Sequence, residues 1–66
     1  MTIHVTVWNE FRHEVTDDHV RAIYPDGMHA VIAAKLQDEH DFVVRTATLD
    51  QPEHGLTQAV LADTDV

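Results

Sequence analysis

Asn9, Glu10, Arg12, His13 and Glu14 follow directly on the β-branched run Ile3-His4-Val5-Thr6-Val7-Trp8. An imidazole among carboxylates is suited to proton transfer, because a neighbouring carboxylate orients the ring and raises its basicity. His13 is therefore the leading acid/base candidate, with Glu10 and Glu14 as its catalytic partners. Asn9 and Glu10 can hydrogen-bond ligand hydroxyls, and Trp8 offers an apolar face with a polar handle for stacking on a ring. His54, in Pro52-Glu53-His54-Gly55, follows a second apolar run and is placed toward the same crevice as a binding residue.

Each of these residues also has a plainer role. His13 can bond to its own loop backbone, and Asn9 can cap the turn. Arg12 among acids reads as a solvated ion pair of small energetic consequence. Trp8 at a strand end reads first as core. His4 reads as buried structure, His29 as a boundary residue packed beside an apolar stripe, and His19 and His40 as solvated surface. Six histidines and twelve acidic residues do not form a metal motif, since no H-E-x-x-H or comparable spacing occurs. No metal is assigned, and no cofactor is specified. A phosphate-binding glycine loop is also missing from a chain with two glycines.

These residues need a scaffold. Sixty-six residues allow one domain, and so short a chain buries only roughly 60% of its unfolded surface. A hydrophobic content of 44% is that of a packing chain rather than a disordered one. The formal charge of −8 argues against nucleic acid or anionic lipid as partners, which require clustered Lys and Arg. No run approaches the roughly 20 apolar residues of a membrane span. The absence of cysteine removes disulfides, thiolate metal sites and a cysteine nucleophile. The N-terminus has neither the basic region nor the apolar core of a signal peptide, so a cytoplasmic protein is expected.

Residues 2–8 predict a strand with Ile3, Val5 and Val7 on one face and His4, Thr6 and Trp8 on the other, covered on both faces. Residues 9–23 have no clear period, although Thr16-Asp17-Asp18 can cap a short turn through Ile23. Pro25 and Asp26 predict a helix start. Met28, Val31, Ile32, Lys35 and Leu36 then form its apolar stripe, ending near Asp38. Phe42–Leu49 is the second strand. A helix between the two strands makes a right-handed βαβ unit with parallel pairing. After the loop 50–55, a short helix is expected over Leu56–Ala62, burying Ala59, Val60 and Leu61. Asp63-Thr64-Asp65-Val66 reads as a turn into a third strand. The sequence thus reads as the first β-α-β-α portion of a larger α/β domain, truncated before that strand. The alternative is a small α/β protein that oligomerises to cover its open strand edge.

At Val7-Trp8-Asn9-Glu10-Phe11-Arg12-His13-Glu14 the chain resembles the trehalose-utilisation (ThuA-like) family. The resemblance continues through Tyr24-Pro25-Asp26-Gly27-Met28-His29, Arg45-Thr46-Ala47-Thr48-Leu49-Asp50 and Pro52-Glu53-His54-Gly55-Leu56, and so spans nearly the whole chain. The paired W-N-E-x-x-H-E and Y-P-x-G-x-H patterns carry it. It implies a flavodoxin-like, class I glutamine-amidotransferase-like parallel sheet and a role in the use of trehalose or related disaccharides. It also implies a small-molecule carbohydrate as partner. Asn9, Glu10, His13 and Glu14 would then line the carbohydrate crevice. Family members continue into a strand and a histidine-containing turn that this sequence does not include. Glutamine hydrolysis is not implied, because the segment has no cysteine.

Overall fold

The computed structural model describes residues 2–66. Strand β1 (Ile3–Asn9) is followed by helices α1 (His13–Thr16), α2 (Asp18–Ile23) and α3 (Met28–Leu36), strand β2 (Phe42–Thr48), a tight turn at Pro52–Gly55, and helix α4 (Gln58–Ala62). The two strands pair in parallel and in continuous register from Ile3 opposite Phe42 to Asn9 opposite Thr48. This is the β-helix-β unit that the two apolar runs and the intervening helix predict.

Alternation along the strands sorts their side chains. Val5 and Val7 are buried with Ala33 of α3, and Ile3, Leu36, Phe42 and Val44 pack around them. Ile3 and Val5 therefore share the core face with their register partners Phe42 and Val44. The opposite face is met by the chain that follows β2. Thr6 Oγ1 lies 2.6 Å from Thr64 Oγ1, Arg45 bonds Asp63 at 2.5 Å, and Ala47 is buried beside the turn at Gly55.

The chain after α4 also reaches the backbone of β1. Val66 N–H donates to the His4 carbonyl at 3.2 Å, and Thr6 N–H donates to the Val66 carbonyl at 2.9 Å. These two bonds have the slanted pattern of a parallel bridge centred on Val5. Ile3 N–H faces the other way, toward the Asp41 carbonyl at 2.7 Å. Since successive residues of a strand direct their backbone groups to alternate edges, Val66 lies on the edge of β1 opposite β2. Among the described residues, Val66 thus meets the β1 backbone through this pair of bonds alone.

Several local expectations are corrected. Helix α3 begins at Met28 rather than Pro25, because Tyr24–Gly27 forms a turn closed by Gly27 N–H to the Tyr24 carbonyl at 3.0 Å. The stretch 13–23 holds two short helices. Asp17 caps the second, accepting from His19 N–H at 2.9 Å and from Val20 N–H at 3.4 Å. On α3 the face turned to the sheet is His29-Ala33-Leu36, whereas Val31 and Ile32 are 54% and 49% exposed. A two-stranded sheet is too narrow to cover the whole apolar stripe, so only one line of side chains reaches it. On α4, Val60 is half-buried while Ala59 and Leu61 face outward. His4 is not buried either; its ring is 38% exposed between Asp63 and Asp65. No helix is long and apolar enough to cross a membrane among the described residues.

Candidate functional site

The carboxyl end of β1 delivers Trp8 and Asn9 to opposite faces of the sheet. On the α3 face, Asn9 becomes the centre of a polar cluster. Its Nδ2 donates to Glu14 Oε2 at 2.6 Å and lies 3.1 Å from His29 Nδ1. The same Glu14 oxygen accepts the Met28 backbone N–H at 2.9 Å. Glu14 is only 2% exposed and His29 only 9%, so half-buried Asn9 supplies hydrogen bonds to two buried polar side chains.

Glu14 ionises below the ordinary glutamate range. The Met28 N–H bond is the largest cause, opposed by desolvation and reinforced by the Glu14 backbone N–H, the Asn9 amide and, least, positive charge on His29. Hydrogen bonds to the charged form outweigh burial, which by itself would favour the neutral acid. Because Met28 opens α3, the carboxylate also ties the turn after β1 to the first turn of that helix, where negative charge is favourable.

Two backbone features shape this cluster. Gly27 has φ +95°, and a Cβ there would meet His29 Cε1 and come within 2.9 Å of Phe11 Cδ1. Only glycine satisfies both the dihedral and the space. Phe11 itself is left-handed at φ 57°, an arrangement that costs on the order of 1–3 kcal/mol for a bulky residue. That turn sets the Phe11 ring edge-on to His29, with centroids 5.1 Å apart and planes at 80°. The strained turn and the close-packed glycine hold the imidazole from two sides.

The other face carries Trp8, which is 43% exposed rather than core. Its indole N–H donates to the His54 carbonyl at 3.0 Å. His54 stands at φ 59° after Glu53 at φ 55°, and its Nδ1 lies 2.9 Å from the Leu49 carbonyl. A carbonyl only accepts, so Nδ1 carries the proton and neutral His54 keeps Nε2 as an acceptor. Trp8 and His54 thus form one exposed pair at the sheet end.

The remaining candidates are separate. His13 begins α1 and is exposed, where a loop position was expected, and its side chain has no hydrogen bond or ion pair among the described residues. Glu10 is likewise exposed and unbonded there. Arg12 pairs with Asp50 at 2.9 Å, linking the entry to α1 with the end of β2. The structure therefore brings Asn9 to Glu14 and Trp8 to His54, and brings neither Glu10 nor His13 into contact with them. His29 is the member that sequence reasoning assigned to a helix boundary. Its signal was Gly27 two residues earlier, whose tolerance for close approach marks a packed neighbour. Among the described residues, no group of three or more His, Asp or Glu side chains converges as a metal site.

No protein-family model matches this sequence, and comparison with curated proteins yields no match.

Proposed function

We propose that this chain is a ThuA-like α/β segment acting in disaccharide utilisation, with a carbohydrate derivative bound at the carboxyl end of β1. The observation that carries the reading is the collection of Asn9, Glu14 and His29 on one side of that strand end and Trp8 with His54 on the other. In open α/β sheets ligands bind where neighbouring strands lead their crossovers to opposite faces. Support for such a position comes from β1 having β2 on one edge and Val66 on the other. That order, with the first strand between the second and the following segment, is compatible with a flavodoxin-like sheet.

Within this reading Trp8 stacks on a sugar ring, and Asn9 is committed to holding Glu14 and His29 in place. Glu14 is a positioning carboxylate, its Oε2 already occupied by two donors. Exposed His13 and Glu10 supply the acid/base groups at the rim, and His54 presents an accepting nitrogen. The chain contains a single tryptophan, so its fluorescence reports on the site directly. Titration with trehalose is expected to change Trp8 emission saturably, and His54→Ala to weaken that response. An emission unchanged at millimolar trehalose would reject the disaccharide reading.

A second reading is a non-catalytic assembly module that associates with another copy of itself. Val31, Ile32 and Val43, all about half exposed, favour it, since burying such side chains stabilises association. Sedimentation equilibrium separates the two: concentration-dependent dimerisation without any trehalose response supports the module.

A further inference from the structure

The cluster at Asn9 determines more than its own stability, because it dictates which nitrogen of His29 holds a proton. An ionised carboxylate accepts only, so the Asn9 atom lying 2.6 Å from Glu14 must be the donating nitrogen Nδ2 rather than Oδ1. That nitrogen carries two hydrogens in one plane. One is used on Glu14, and the other points to His29 Nδ1 at 3.1 Å. His29 Nδ1 must then offer its lone pair, which leaves the proton of the neutral ring on Nε2.

Nε2 has no protein partner among the described residues, although the His29 side chain is nine-tenths buried. No buried side-chain nitrogen or oxygen among those residues lacks a partner. An unpartnered Nε2 therefore keeps contact with solvent. The ring cannot turn freely to hide it, with Phe11 edge-on at 5.1 Å and Gly27 against Cε1. The result is a fixed N–H donor beside Asn9, the last residue of β1.

We propose that His29 is a ligand-contacting donor, its Nδ1 anchored by Asn9 and its Nε2–H directed to the carbonyl or hydroxyl oxygen of an uncharged ligand. The uncharged class follows from the surroundings. The Glu14 carboxylate sits one amide away, Glu10 is nearby in sequence, and the only cation of that turn, Arg12, is paired with Asp50. An anionic ligand would meet a negative field there, whereas a neutral oxygen gains a pre-oriented donor without desolvating a charge. The proposal rests on the preceding functional reading for the location of the ligand only, and adds a contact from His29 to the groups named there.

The test is a histidine side-chain ¹⁵N spectrum of the 66-residue chain at neutral pH, recorded without ligand and then with trehalose. The expected result is a His29 ring with pyrrole-type Nε2 and pyridine-type Nδ1, whose Nε2–H signal shifts on titration. A proton on Nδ1, or a ring averaging between the two forms, overturns the proposal. So does a trehalose response at Trp8 that leaves Nε2–H unmoved, which would keep the disaccharide reading and discard His29. An Nε2–H ring with no trehalose response anywhere supports the donor and rejects the disaccharide alone. Asn9→Ala adds a control: with the amide donor removed, Nδ1 is no longer held as an acceptor, so the ring averages between its two forms. If that variant fails to fold, the unsubstituted spectrum still decides.

Discussion

Glu14 Oε2 accepts the Asn9 side-chain amide and the Met28 backbone N–H, so one buried oxygen joins the end of β1 to the start of α3. The first consequence is a sign for acid stability. A carboxyl whose folded-state pKa is depressed contributes stability that is fully present above its unfolded value and lost as pH falls through the folded one. Glu14 is in that class. Unfolding followed by circular dichroism should therefore show stability falling below the ordinary glutamate range, near pH 4.3 and downward. Glu14→Gln should be less stable at neutral pH and lose part of that acid dependence. An unchanged acid limb in the variant would show that Glu14 is not the group responsible.

Gly27→Ala is expected to destabilise by more than about 1 kcal/mol. The substitution combines an unfavourable left-handed φ with overlap at His29 and Phe11. Urea denaturation measures it, and a variant as stable as the parent would reject the close packing around the imidazole.

His13→Ala should change stability by no more than about 0.5 kcal/mol, as surface replacements usually do. His13 is exposed on α1 and its side chain anchors nothing. A larger loss in thermal unfolding would mean that it has a structural partner.

Val31→Ser and Ala33→Asp should diverge sharply despite their proximity in sequence. Val31 is exposed and its replacement should cost less than about 1 kcal/mol, whereas Ala33 is in the core against Val5 and Val7. An unpaired carboxylate there should abolish cooperative folding. Equal effects would mean that α3 presents a different face to the sheet.

Asp17→Ala removes the cap that accepts from His19 and Val20, and should cost roughly 0.5–2 kcal/mol. Asp17→Asn, which retains a capping oxygen, should recover most of that loss in the same denaturation assay.

The sequence by itself determined the elements whose signals are local. Alternation of Ile3, Val5 and Val7 specified a strand with those three on one face, and the run from Phe42 specified the second. A helix between them required parallel pairing. Thr16-Asp17-Asp18 announced a capped turn through Ile23, because a side-chain cap acts within three residues, and Asp17 is the one that caps α2.

Tertiary structure decided what depended on partners distant in the chain. Which line of α3 became buried followed from the width of a two-stranded sheet, which admitted Ala33 and left Val31 exposed. Periodicity names a stripe but not how much of it finds cover. Glu14 and His13 are neighbours of opposite fate: one is enclosed beneath the first turn of α3 and the other faces solvent. The proton on His29 was still further from view. It depends on an amide orientation set by Glu14, across a separation of twenty residues between Asn9 and His29. Residue type supplies the groups able to donate and accept; only their arrangement in space decides which of them does which.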